Sequence, residues 1–163
     1  MIKLLRGPIP APIKYSMSKL IKLAYEIAEK AHRSQLDKAG RPYIEHPKAV
    51  AAFVDGEDAK VTALLHDVME DTSVTADELA AAGIPTHIVE ALVLLTHRSC
   101  DSYDEYIQRL RNNRLAARVK LADLRHNSDL SRLPVINPKD LARTEKYRRY
   151  IEMLSHDIEH CSE

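Results

Sequence analysis

Along most of the chain, apolar residues recur at three- and four-residue spacing, the mark of helices buried on one side. Leu20, Leu23, Ala24, Ile27, Ala28 and Ala31 trace one such stripe, and Ser18 stands where an N-cap belongs. The stripe predicts a helix through His32 to about Gln35. Gly40 and Pro42 punctuate a turn over 38–43. Pro47 suits the first turn of a second helix through Val50, Ala51 and Val54, with His46 just before it, at or near the cap. Asp55-Gly56-Glu57-Asp58 breaks that helix, and a third follows over 59–71, with Val61, Leu64, Leu65 and Val68 on one face.

Thr75-Ala76-Asp77-Glu78 reads as a capping box opening a short helix that Gly83 ends. Pro85 begins the next, with Ile88, Val89, Leu92, Val93 and Leu95 directed inward. After a loop over 97–101, residues 103–112 form another amphipathic segment. Asn113 caps a helix carrying Leu115, Ala116, Val119, Leu121, Ala122 and Leu124. Beyond Leu133-Pro134 and Asn137-Pro138, a last helix runs from about Lys139 to His156 or further. No stretch alternates apolar and polar over strand length. The pattern therefore predicts an all-α domain of about seven to nine helices.

Pro8, Pro10 and Pro12 exclude a regular helix before Ser18, so residues 1–17 read as an extended proline-rich arm and 18–163 as one domain. Met17 opens the segment that holds the first helix and is compatible with an internal start. Lys plus Arg equals Asp plus Glu at 24 each, so no overall field favours nucleic acid or an anionic membrane. No apolar run approaches the ~20 residues of a membrane span. Cys100 and Cys161 are far apart and lack a CxxC partner, which argues against a zinc knuckle and for free thiols in a reducing cytoplasm. Oligomeric state is not legible.

The third helix changes the picture. Ala63-Leu64-Leu65-His66-Asp67-Val68-Met69-Glu70-Asp71-Thr72 crowds three carboxylates and an imidazole into an otherwise buried helix. Such groups repel unless water solvates them or a cation gathers them. A solvated structural face is the plain reading; a divalent-metal site is the sharper one. Four positions can close a metal shell: His46, the adjacent His66 and Asp67, and Asp123, embedded in Val119-Lys120-Leu121-Ala122-Asp123. Two imidazoles and two carboxylates suit Mn²⁺, Fe²⁺ or Zn²⁺ better than Ca²⁺. Glu70 and Asp71, one turn on, are placed to orient or deprotonate water.

Tyr43-Ile44-Glu45-His46-Pro47, the HDxxED run from His66, and Val119-Lys120-Leu121-Ala122-Asp123 through His126-Asn127 carry a resemblance. Over about 20–154, the chain resembles the HD superfamily of metal-dependent phosphohydrolases, in particular the hydrolase domain of RelA/SpoT homologues and their small stand-alone relatives. The resemblance implies a compact HD-domain helical bundle with one Mn²⁺ on His46, His66, Asp67 and Asp123. It implies water activated near Glu70 and Asp71, and removal of the 3′-diphosphate of (p)ppGpp. Asn127 matches a position that contacts the nucleoside.

Three departures all touch substrate binding. Asp37-Lys38 replaces a basic pair, the arginine after Asp123 is shifted to Arg125, and Ser128-Asp129 stands where relatives often carry a basic residue. They keep open a second substrate class (an adenosine alarmone, NADPH or a nucleoside phosphate) and, further off, a nucleotide sensor without turnover. Lys38, Arg41, Arg98, Lys120 and Arg125 are the cations available to phosphates. Lys38, Arg125, Asn127 and Tyr103 are the expected substrate contacts, with Tyr103 (beside Tyr106, and with Tyr147 on the last helix) offering a ring to a base. His32 reads as a buried or supporting histidine rather than a ligand.

Overall fold

Helical periodicity is realised throughout the described residues. Residues 17–160, described here from a computed structural model, form nine α-helices and one 3-10 turn. They are α1 (Lys19–Ala31), α2 (Glu45–Ala52), α3 (Glu57–Leu65), α4 (Val68–Asp71), α5 (Ala76–Ala81), α6 (Thr86–Leu95), α7 (Tyr103–Leu110), α8 (Arg114–Ser128), the 3-10 turn Leu130–Arg132, and α9 (Pro138–His160). Among the described residues, extended backbone pairs only at an isolated bridge between Leu36 and Pro42. The expected arm over 1–17 lies, Met17 apart, outside the described residues, as does Cys161. No described helix is long and apolar enough to cross a membrane.

Short polar side chains start four of these helices. Ser18 Oγ accepts from the Ile21 N–H at 3.1 Å, and Asn113 Oδ1 from the Ala116 N–H at 2.9 Å. Thr75 and Glu78 form the expected capping box. Ser102 and Glu105 form a second one that opens α7. Gly83, at φ +101°, ends α5, and the Ile84 N–H reaches back to Leu79 O at 3.1 Å.

Helices α3 and α8 form the centre. α3 packs on α1, α2, α6 and α8, while α8 also meets α2, α6 and α9. Leu65, Ile88, Leu92, Ile107, Leu124 and Leu154 are buried in one continuous core. Leu92 on α6 is 1% exposed. Leu92→Ala is therefore expected to lower stability by about 2–5 kcal/mol, read as a reduced urea midpoint at unchanged slope.

The structure departs from the sequence expectation at four places. α1 stops at Ala31, because the chain folds over at His32 and the Gln35 N–H bonds His32 O at 2.9 Å. His46 lies inside the first turn of α2, not before it. Val93 is 40% exposed, on the outer side of α6. The helix expected over 59–71 is broken in two at His66 and Asp67, and this break builds the site.

Candidate metal and active site

In a continuous helix the Asp67 N–H would bond the Ala63 carbonyl, four residues back. Here the His66 imidazole takes that carbonyl, with Nδ1 donating to Ala63 O at 2.7 Å. The chain flattens at Asp67 (φ −99°, ψ −7°), and a new turn begins with the Asp71 N–H on Asp67 O at 2.9 Å. Neighbouring residues of an unbroken helix point ~100° apart. The break lets His66 Nε2 and Asp67 Oδ2 converge to 3.1 Å.

α2 and α8 complete the group. His46 Nε2 is 3.2 Å from His66 Nε2, 3.4 Å from Asp67 Oδ2 and 3.1 Å from Asp123 Oδ1; Asp123 Oδ1 is 3.6 Å from His66 Nε2. The bond from His66 Nδ1 to Ala63 O fixes the tautomer that leaves the Nε2 lone pair facing this point. His46 Nδ1 meets His126 Nδ1 at 2.8 Å, an arrangement that frees His46 Nε2 in the same way when His46 donates. Two nitrogens and two oxygens about 3 Å apart fit the edges of a shell with bonds of about 2.0–2.2 Å. This donor set is chemically that of a divalent transition metal. His46, His66 and Asp67 alone already qualify as a three-ligand cluster.

Electrostatics knit the four together. Burial opposes charge on every member. Asp123 and Asp67 nonetheless hold both imidazoles above the usual histidine range, strongly so for His66. Burial is likewise outweighed at the carboxylates: His66 pulls Asp67 down, and Lys120 pulls Asp123 down, each well below the ordinary range. Lys120 Nζ binds Asp123 Oδ2 at 2.9 Å and Asn127 Nδ2 binds Asp123 Oδ1 at 2.7 Å. His126 moves the other way, to about 4, by burial first and then by Arg132 and His46.

Glu70 and Asp71 line the same chamber, of about 210 Å³. Glu70 Oε2 accepts from the His97 backbone N–H at 2.9 Å, which anchors one oxygen. Burial, then the Asp67 charge, raises the Asp71 carboxyl above its ordinary value. Tyr43, quoted in the motif without a role of its own, donates its hydroxyl to Asp67 Oδ2 at 2.6 Å. His32 is buried, its Nδ1 2.8 Å from Gln35 Oε1, and Gln35 in turn binds Asp71 O at 2.9 Å. The His32 ring, buried as the sequence suggests, is 4.9 Å from that of Tyr43.

A second cavity of about 290 Å³ adjoins the chamber across Tyr43, His46, Asn127 and Tyr147. Lys38, Arg41, Arg132 and Arg143 line it, together with Asp37 and Asp129. The structure thus brings Lys38 and Asn127 to the site. It places Arg125 elsewhere: that guanidinium is exposed, 3.3 Å from Ser155 Oγ, and lines neither cavity. Tyr103 lines the inner chamber, where its ring stacks on Tyr147 and meets Tyr106 and Tyr150 at an angle. Arg132 and Arg143 escaped sequence reasoning because they lie in arginine-bearing stretches with no distinctive spacing.

Asp37, one of the departures, proves to be a turn residue. Its carboxylate accepts from the Ala39 and Arg41 N–H groups at 2.8 and 2.9 Å and from the Arg41 guanidinium at 3.1–3.2 Å. Asp37→Arg is therefore expected to loosen this turn rather than to add a useful cation. Faster proteolysis of the turn at unimproved alarmone turnover would be the observation that agrees.

Known proteins share parts of this sequence and this fold. The HD domain family matches residues 24–127. A GTP pyrophosphokinase of Myxococcus xanthus is 32% identical over 125 residues, 66% of this chain and 16% of that protein. A probable guanosine-3′,5′-bis(diphosphate) 3′-pyrophosphohydrolase of Synechocystis is 35% identical over 144 residues, 80% of this chain and 18% of that protein. The chain thus spans less than a fifth of the curated relatives it matches. A solved structure of a metazoan ortholog of SpoT, described as hydrolysing ppGpp, superposes with a TM-score of 0.67 at 21% identity, covering 88% of this chain and 87% of the other.

Proposed function

The chain belongs to the HD domain family, and on that premise we propose that it is a Mn²⁺-dependent phosphohydrolase removing the 3′-diphosphate of guanosine alarmones, (p)ppGpp. The observation that carries the reading is the convergence of His46, His66, Asp67 and Asp123 in one chamber with Glu70 and Asp71. Relatives named for guanosine-3′,5′-bis(diphosphate) 3′-pyrophosphohydrolase activity support the choice of substrate. The proposal implies a cytoplasmic protein acting on a small nucleotide, with neither nucleic acid nor membrane as partner.

His46, His66, Asp67 and Asp123 would hold the ion, which supplies Lewis acidity to a phosphoryl oxygen and makes nearby water a stronger acid. Glu70, anchored through one oxygen by His97 N–H, keeps the other for the proton of the attacking water. Asp71, raised by burial and Asp67, is suited to hold a proton and pass it to the ribose 3′-oxygen as the ester breaks. Asn127, tied to Asp123 through its amide nitrogen, has its carbonyl oxygen for the nucleoside in the outer cavity. Lys38, Arg132 and Arg143 face the phosphates that remain on the product.

A second reading, hydrolysis of another nucleotide, draws on Asp37 and Asp129, which make the outer cavity less positive than its arginine count suggests. Incubation of the pure protein with Mn²⁺ and ppGpp should yield GDP and pyrophosphate. Neither product from ppGpp, but phosphate or diphosphate from an adenosine nucleotide, would move the assignment to that reading.

A further inference from the structure

The inner chamber is short of positive charge for the work proposed. Asp67, Glu70, Asp71 and Asp123 all line it, and a condensed phosphate brings more negative charge. Among the described residues that line it, Lys120 is the one lysine or arginine. Lys120 sits on α8 one turn before Asp123, with its side chain only 13% exposed. Its Nζ is 2.9 Å from Asp123 Oδ2 and lies over the Tyr106 and Tyr103 rings, 5.1 and 5.8 Å from their centroids.

An ammonium carries three N–H donors. Asp123 takes one, and the Tyr106 hydroxyl, which itself donates to Leu95 O at 2.5 Å, faces another. Tyr103 adds a second donor at the same wall. Its ring stacks on Tyr147, meets Tyr106 and Tyr150 at an angle and has Lys146 Nζ 4.1 Å from its centroid, yet its buried hydroxyl has no hydrogen-bond partner among the described residues. A buried hydroxyl without a partner is costly, so the fold gains nothing from it unless a ligand arrives. A neutral donor would be enough to hold an oxygen of Asp123, as Asn127 does at Oδ1. The charge of Lys120 exceeds what that bond requires.

The geometry points to Lys120 and Tyr103 as a diphosphate-binding pair inside the metal chamber, an inference that rests on the phosphohydrolase reading above. The third N–H of Lys120 and the Tyr103 hydroxyl donate to oxygens of the departing diphosphate. The nucleoside then lies in the outer cavity, across Tyr43, His46, Asn127 and Tyr147. This orients the substrate and limits it to those whose condensed phosphate reaches inward.

The test uses inorganic pyrophosphate and the Mn²⁺-loaded protein, followed by calorimetry, with Mn²⁺ affinity measured separately without pyrophosphate. Tyr103→Phe should weaken pyrophosphate binding about five- to tenfold, and Lys120→Met about thirty- to a hundredfold. Mn²⁺ affinity in Tyr103→Phe should stay within about threefold, whereas Lys120→Met removes a partner of Asp123 and should lower Mn²⁺ affinity by about 10–100-fold, so pyrophosphate binding is read at saturating Mn²⁺. Pyrophosphate affinities equal to wild type in both variants would overturn the pair. So would wild-type pyrophosphate affinity in Lys120→Met at saturating Mn²⁺, which would mark Lys120 as a counter-ion to Asp123 only. Should Lys120→Met fail to fold, Tyr103→Phe decides alone, because the Tyr103 hydroxyl bonds nothing among the described residues. A wild type that binds pyrophosphate through this pair but hydrolyses no nucleotide would overturn the phosphohydrolase reading while leaving the subsite standing.

Discussion

Asp67→Asn is expected to fold, to bind Mn²⁺ at least about a hundredfold more weakly, and to hydrolyse alarmone more than about a thousandfold more slowly. The substitution keeps shape and volume, and the Tyr43 hydroxyl still finds an oxygen at the position it now reaches at 2.6 Å. What it removes is one of two anionic donors beside two imidazoles. A neutral amide oxygen is a poorer partner for a divalent ion and leaves that ion's charge less balanced. Wild-type protein treated with EDTA should show the same loss of turnover and recover it on addition of Mn²⁺. Turnover insensitive both to EDTA and to Asp67→Asn would sink the metal-dependent reading altogether. Asp67 is a better choice than Asp123 here, because Asp123→Asn would also weaken the buried partner of Lys120 and so mix folding with chemistry.

Glu70→Gln should give the second large effect, a fall in kcat of about 10²–10⁴-fold with Mn²⁺ affinity within severalfold of wild type. Glu70 lines the chamber but is held by the His97 N–H rather than by the imidazoles and carboxylates of the cluster. Glutamine retains an oxygen for that N–H and loses only the capacity to take up a proton. The split between intact metal binding and lost kcat is the signature to look for. Collapse of Mn²⁺ affinity alongside kcat would make Glu70 a ligand instead of a base.

The helical framework was legible because its signals are local. Ser18, Thr75 and Asn113 sit at caps, the apolar stripes have helical period, and glycine and proline mark the turns. The convergence of His46, His66, Asp67 and Asp123 was legible for a different reason: uncompensated acids beside buried apolar residues have few physical solutions, and the four fall together on three elements. The break in the third helix was not legible. Residues 59–71 have an unbroken helical pattern, and the break comes from His66 competing for a backbone carbonyl, which periodicity does not register. The outer cavity was read least well. Arg125, displaced by one position from its place in relatives, was expected at the substrate but points toward Ser155, whereas Arg132 and Arg143 arrive through the 3-10 turn and α9. Residues that meet only through tertiary packing leave no trace in local spacing.

One consequence of the carbonyl taken by His66 concerns how the site can be watched. The Asp67 amide is deprived of the acceptor a helix would give it, in the middle of an otherwise buried segment. Its neighbours within α3 should exchange their protons for deuterium slowly, protected by the central packing. The Asp67 amide should exchange faster and shift its resonance as Mg²⁺, a diamagnetic stand-in, is titrated into the protein. A single backbone nitrogen would then act as a built-in spectroscopic gauge of metal arrival, with no label added and no substrate needed.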